Sequence, residues 1–239
     1  MIDIHCHILP EVDDGPKSWE MAEQMCRMAA HDGTEHIVAT PHANNTYHYD
    51  RKYLSGLLHT LQRRLGHSLK LSLGCDFHLS FENMQTALET PQRYCIGSTR
   101  YLLIEFSNFS IPQQIDAWIA QMREREIVPI ITHPERNPLL QQDPKRVLDW
   151  VKLGCGVQIT ASAVTGFWGT RAEEAARWFF KKKAVHILAS DGHDTVRRVP
   201  ILSEARKIVA KEFGAATAEA LLERNPDAVV RNQPPPWIS

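Results

Sequence analysis

No run of about 18 apolar residues occurs in this chain, so it offers no helix able to span a bilayer. No secretory leader is expected either. Met1 leads straight into Ile-Asp-Ile, without a basic stretch, apolar segment or small-residue cleavage site, and a cytoplasmic location is expected. There is no excess of either charge: 27 Lys and Arg stand against 28 Asp and Glu, which leaves no broad basic face for nucleic acid. Cysteine is scarce. Cys6, Cys26, Cys75, Cys95 and Cys155 are odd in number and scattered, with no Cys-x-x-Cys pair, so neither a disulfide framework nor a thiolate zinc site is expected; they read as small buried hydrophobes. With no internal repeat, low-complexity block or linker, residues 1–239 are expected to form a single domain, a size ordinary for one α/β barrel.

What is there begins at the first residue. In Met-Ile-Asp-Ile-His-Cys-His, Ile2, Ile4 and Cys6 alternate with Asp3, His5 and His7, so a strand would put apolar groups on one face and metal-binding groups on the other. Imidazoles at i and i+2 of a strand stand roughly 6–7 Å apart, close enough to converge on one cation. Alone, His-x-His is a weak signal. The remaining chain then alternates. A helix capped by Ser18 follows the Asp13-Asp14-Gly15-Pro16 loop, and His36–Thr40 reads as a strand ending in Pro41-His42. Further strands are expected at Leu69–Cys75, Tyr101–Phe106, Ile127–Thr132, Val157–Thr160 and Val185–Ser190. They are separated by amphipathic helices that include one continuous Pro138–Leu153 segment and a region running through Trp168 to Phe179. About seven strand–helix units in series predict a parallel barrel, with function at the carboxyl ends of its strands.

That is where the ligand-type residues fall. His7, Asp14, His42, Asp76, Glu105, His133, Asp191 and His193 each lie within or just after a predicted strand end. A lone His there is usually a hydrogen-bonded structural residue and a lone Asp a helix cap, but convergence of so many weakens that reading. Glu105, inside Leu-Leu-Ile-Glu-Phe, would cost several kcal/mol if buried unpaired, so a cation is expected beside it. Imidazole and carboxylate donors without thiolate suit Mn²⁺, Fe²⁺ or Zn²⁺, and they exceed what one ion needs; two or three ions, and hydrolysis of a phosphoester, follow.

Taken in order, Met-Ile-Asp-Ile-His-Cys-His-Ile-Leu-Pro through Asp-Asp-Gly-Pro, Thr40-Pro-His42, Leu103-Ile-Glu105-Phe, Thr132-His133-Pro-Glu-Arg136 and Ala189-Ser-Asp191-Gly-His193 resemble the bacterial PHP (polymerase and histidinol phosphatase) family. The likeness is to its manganese-dependent tyrosine phosphatases of capsule and exopolysaccharide operons. It implies a distorted (β/α)7 TIM-like barrel, the PHP fold, with three divalent ions, Mn²⁺ foremost. By this resemblance His5, His7, Glu105 and Asp191 would hold one ion, with Glu105 bridging to a second held also by Asp76 and His133. Asp14, His42 and His193 would hold a third. A bridging hydroxide would attack phosphorus in line, while Arg136 and either Arg198 or Arg197, with Arg198 fitting the family spacing better, would grip the phosphate oxygens. The family commonly has glutamate at the position of Asp76, so that carboxylate is one methylene shorter here. His78 shares the strand face and could assist, although it reads first as a surface histidine. Asp3 is given a supporting or structural role. The implied substrate is a phosphotyrosine protein, the Tyr-rich tail of a bacterial tyrosine kinase.

A thiol-dependent phosphatase would need Cys-x5-Arg, and six residues after the five cysteines stand Val12, Asp32, Phe81, Tyr101 and Ala161. The rivals that keep the metal are a histidinol-phosphatase-like small-molecule enzyme and a PHP nuclease; a non-catalytic reading makes the ions a structural staple in a binding module.

Overall fold

The structure, a computed structural model, describes residues 1–238; Ser239 and the side chains of Phe81 and Glu82 lie outside the described residues. Nine parallel strand segments run in sequence order: β1 (Ile2–Cys6), β2 (His36–Ala39), β3 (His42–Ala43), β4 (Lys70–Leu73), β5 (Asp76–His78), β6 (Tyr101–Glu105), β7 (Val128–Thr132), β8 (Gly156–Thr160) and β9 (Ile187–Ala189). They pair as β1-β2-β4 and β3-β5-β6-β7-β8-β9. The second and third barrel positions are each split in two. Pro41, which has no N–H to give the ladder, separates β2 from β3, and Gly74-Cys75 separates β4 from β5. Counted by position, the barrel has seven strands. It closes where Cys6 bridges Gly192 and the His7 N–H donates to the Gly192 carbonyl at 2.8 Å. The α/β barrel expected from the sequence is therefore present, and its distortion lies in those two broken strands.

Two apolar layers hold it. Inside, Ile4, Val38, Tyr101, Leu103, Val128, Ile130 and Ile187 fill the barrel and Val229 joins them. Outside, the alternating partners Ile37, Leu102, Ile104, Ile131, Val157, Ile159 and Leu188 pack against helix residues such as Met25, Leu61, Ile119, Trp150 and Phe179. Such a barrel is a packed core rather than a pore, so its inward positions near the carboxyl ends are free to carry polar groups. The helices start where capping side chains satisfy their first N–H groups: Ser18 for Trp19–His31, Asp50 for Arg51–Leu65 and Asn137 for Pro138–Gln142.

Three local expectations are corrected. Strict alternation in β1 fails because the register shifts between Asp3 and Cys6, which leaves Ile4 in the inner layer and Cys6 in the outer one. The expected Pro138–Leu153 helix is two helices, Pro138–Gln142 and Lys145–Lys152, broken at Asp143-Pro144 because proline cannot donate to the ladder. The region through Trp168 is not one helix: Ala161–Val164 and Thr170–Lys181 flank a turn in which Gly166 and Gly169 take φ of 84° and 82°.

Asp3 ties the closure together. Its buried carboxylate accepts from the N–H groups of His5 and Ser190, at 3.3 and 3.0 Å, and from the Ser190 hydroxyl. Burial pushes this carboxyl up to about 6 against those hydrogen bonds.

Candidate metal centre

The site is built from the top of the barrel. His5 lies in β1 and His7 just beyond it, His42 opens β3, Asp76 opens β5, Glu105 ends β6, His133 follows β7, and Asp191 and His193 follow β9. The breaks in the barrel serve this arrangement. Where the ladder resumes after Pro41 and Cys75, His42 and Asp76 stand in direct register, and His42 Nδ1 lies 3.2 Å from Asp76 Oδ2. His133 and Asp191 both adopt left-handed backbone, φ 34° and 51°, which turns their side chains as the chain leaves the barrel.

Two residues outside the candidate donors fix the first imidazoles. His5 Nδ1 lies 2.9 Å from Gln158 Oε1, and His7 Nδ1 lies 2.7 Å from Asp13 Oδ2. If each ring gives its Nδ1–H to that oxygen, both Nε2 atoms carry lone pairs, and these face each other at 3.3 Å. Lone pairs so placed repel unless a cation lies between them, either a metal ion or the proton that His5 takes up in its absence. Two ligands about 2.1 Å from one tetrahedral ion stand about 3.4 Å apart, so the spacing fits a shared metal. Neither Asp13 nor Gln158 was singled out in the sequence. Asp13 was hidden beside Asp14 in an acidic turn, while Gln158, a polar residue inside Val-Gln-Ile-Thr, carried the same signal as Glu105.

Donor atoms gather in three overlapping groups: His5, His7 and Asp76; His42, Asp76 and Glu105; and His7, Asp14, His42 and His193. Asp191 Oδ1 adds to the first, 3.4 Å from His5 Nε2 and 3.5 Å from His7 Nε2. Asp14 Oδ1 lies 3.3 Å from His42 Nε2 and 3.2 Å from His193 Nε2. His133 stands apart, Nε2 being 3.7 Å from Glu105 Oε1, and it shares no three-donor group with Asp76. His78, read first as a surface histidine, is half-buried with Nδ1 3.3 Å from Glu105 Oε2. Asp76 is fully enclosed and Asp191 nearly so, whereas Glu105, expected to be buried, has a side chain that is 20% exposed.

The charges call for a cation. Among the described residues, no hydrogen bond of good geometry reaches the buried Asp76 Oδ2, His42 Nδ1 or His193 Nε2. Their close partners are ion pairs, His42 with Asp76 and His193 with Asp14, each at 3.2 Å, which need the imidazoles protonated and which a bound cation would replace. Against the opposing pull of burial, Asp76 and Asp191 push His5 up to about 9, and Asp14 and Asp76 push His42 up to about 11. Burial, reinforced by His193, instead drives His7 down to about 3. The acidic cluster thus holds positive charge wherever it can, and an all-N/O donor set of this kind fits divalent ions such as Mn²⁺, Fe²⁺ or Zn²⁺.

Beside the donors lie two guanidiniums. Asp191 turns Oδ1 to the imidazoles and Oδ2 to the arginines, accepting from Arg136 Nη1 and, at 2.8 Å, from Arg198 Nη2. Arg198 Nη1 also reaches Asp14 Oδ2 at 3.3 Å. Arg197 is exposed and makes no such contact. The Asp194 carboxylate accepts from the N–H groups of Val196, Arg197 and Arg198, and the His193 N–H closes the turn on the Arg198 carbonyl at 2.7 Å.

An α/β barrel with imidazole and carboxylate donors at its carboxyl end, edged by paired arginines, is the architecture of a metal-dependent hydrolase. Residues 1–231 match the family described as capsular polysaccharide synthesis, CpsB/CapC, and the chain belongs to that family. It is 31% identical to the tyrosine-protein phosphatase CpsB of Streptococcus pneumoniae, over 98% of this chain and 99% of the relative. It is 30% identical to the tyrosine-protein phosphatase YwqE of Bacillus subtilis, over 98% and 92%. A solved structure from work on YwqE of Bacillus subtilis and CpsB of Streptococcus pneumoniae, described as metal-dependent tyrosine phosphatases, superposes with a TM-score of 0.93. Its identity to this chain is 30%, and the match covers 98% of this chain and 96% of the other.

Proposed function

We propose that this chain is a metal-dependent protein-tyrosine phosphatase of capsule or exopolysaccharide synthesis. The observation that carries the reading is the meeting, on the two oxygens of Asp191, of a multi-donor cluster and a pair of guanidiniums: a place for cations and a place for a phosphoryl group, side by side. The likeness to CpsB and YwqE over nearly the whole chain supports it.

We assign three divalent ions, Mn²⁺ foremost, to His5, His7, Asp14, His42, Asp76, Glu105, His133, Asp191 and His193. When bound, such ions supply Lewis acidity and ionise water at neutral pH. The rest falls to the side chains. Gln158 and Asp13 would hold the Nδ1–H tautomers of His5 and His7 that leave Nε2 free for an ion. Arg136 and Arg198 present fork-shaped donors to non-bridging phosphoryl oxygens and spread the charge that develops as the phenolate leaves. No cysteine takes part: all five thiols are free and buried, and burial pushes each of them upward, away from the thiolate. Free thiols also suit a reducing, cytoplasmic location, and no helix of the described residues is long and apolar enough to cross a membrane. The substrate we propose is the Tyr-rich tail of a bacterial tyrosine kinase. The test compares hydrolysis of a phosphotyrosine peptide and of histidinol phosphate, with bound metal counted, stripped and restored. Peptide hydrolysis that needs metal is expected. A preference for histidinol phosphate overturns the substrate, and full activity after stripping overturns the mechanism.

A further inference from the structure

Two guanidiniums held side by side repel; Asp191 bridges both and Asp14 reaches Arg198 at 3.3 Å, but carboxylates on one side do not by themselves hold the two planes together. What stands behind them is Trp168. The Arg136 guanidinium lies 4.1 Å from the centre of its ring and that of Arg198 5.7 Å, both within cation–π range. The ring is itself fixed: Nε1–H donates to Ser162 Oγ at 2.9 Å, and the left-handed Gly166 and Gly169 bracket the turn that presents it. Thr160 adds one weak contact to Arg136 at 3.4 Å, while Arg198 Nε is buried without a hydrogen bond among the described residues. The aromatic face is therefore the main neutral partner the two cations share.

We propose that Trp168 is a positioning residue that holds Arg136 and Arg198 together, one stacked on its face and the other within reach of it, so that both forks converge on a single phosphoryl group. The inference rests on the phosphatase reading, but it concerns oxyanion binding and is measurable without turnover. In water two mobile arginines would splay apart. Between the Asp191 carboxylate and an indole they stay adjacent, and the entropy of ordering them is met before substrate arrives.

The test uses the manganese-loaded full chain with Trp168→Ala, Trp168→Leu and Trp168→Phe, reading affinity for inorganic phosphate by calorimetry and kcat and KM on an aryl phosphate. Trp168→Ala and Trp168→Leu are expected to weaken phosphate binding about tenfold, with the loss in kcat/KM mainly in KM, and to leave metal content and thermal unfolding unchanged. Trp168→Phe keeps a π face and should stay within about threefold of the parent. The proposal is overturned if Trp168→Ala binds phosphate as the parent does, if leucine serves as well as phenylalanine, or if the substitutions release metal. Should Trp168→Ala not fold, the Leu and Phe pair decides the matter. A parent protein that binds phosphate yet hydrolyses no phosphotyrosine peptide sinks the functional reading and leaves the phosphate comparison standing.

Discussion

Replacing Asp13 by asparagine should separate metal affinity from everything else in this protein. The Asp13 carboxylate accepts three hydrogen bonds, from His7 Nδ1 at 2.7 Å, the Gly15 N–H at 2.9 Å and the His42 N–H at 3.2 Å. His7 and its neighbours hold this carboxyl down to about 2 although burial opposes them, so it is ionised at any working pH. Asparagine has the same shape but a single acceptor oxygen, so one of its two heads must point an N–H₂ group at a donor. If the amide turns its nitrogen toward His7, the ring flips its tautomer and presents an N–H to the metal position; if it turns the nitrogen toward Gly15, the loop carrying Asp14 loosens. Loss of such a supporting carboxylate typically weakens metal binding about 10- to 100-fold, or about 1.4–2.7 kcal/mol. Competition against a chelator of known affinity, with metal counted by elemental analysis, reads the effect directly. Activity at saturating Mn²⁺ should recover in large part. Parent-like affinity in Asp13→Asn would refute the claim that Asp13 sets the His7 tautomer.

Three further outcomes are expected. His133→Ala should abolish turnover with the fold retained, as judged by circular dichroism, and near-normal rates at saturating metal would remove His133 from the ligand set. Gly192→Ala should cost about 1–3 kcal/mol, because its Cβ would meet Pro200 Cβ at 2.9 Å and Pro200 backbone at 3.0 Å, tighter than carbon contacts allow. The melting temperature should fall, and since Gly192 sits between Asp191 and His193 at the barrel closure, metal affinity should fall with it; an unchanged melting point would show that the closure yields. Burial lowers His186 to about 4, and its Nδ1 must stay unprotonated to accept from the Val157 N–H at 3.0 Å. The folded value lies below the usual 6.5, so this group's contribution is complete above pH 6.5 and is lost as pH falls toward 4, a span worth about 3 kcal/mol. Acid unfolding of His186→Gln should accordingly be shallower than that of the parent, and parallel curves would count against the assignment.

The local record in the chain carried a good deal. His5, His7, Glu105 and Asp191 could be placed at strand ends because apolar runs, turn residues and polar interruptions are local features, and a parallel barrel brings strand ends together whatever its exact register. Order of magnitude in charge and cysteine use was legible for the same reason. Asp13, Gln158 and Trp168 were not, since each acts on a partner distant in sequence or hidden beside a more obvious neighbour: Gln158 lies 153 residues from His5, and Trp168 meets arginines from two other loops.

The sequence by itself determined the fold class, the carboxyl-end placement of the nitrogen and oxygen donors and the exclusion of thiolate chemistry, all of which follow from residue type and periodicity. Only the tertiary structure decided which donors share a position, that His42 and Asp76 meet across two broken strands, that Asp76 and Asp191 are enclosed while Glu105 is not, and that Arg198 rather than Arg197 turns inward. Those choices depend on where the ladder breaks and on which hydrogen bonds close each turn, and such distances of a few ångströms are set by packing between segments that the chain spells far apart.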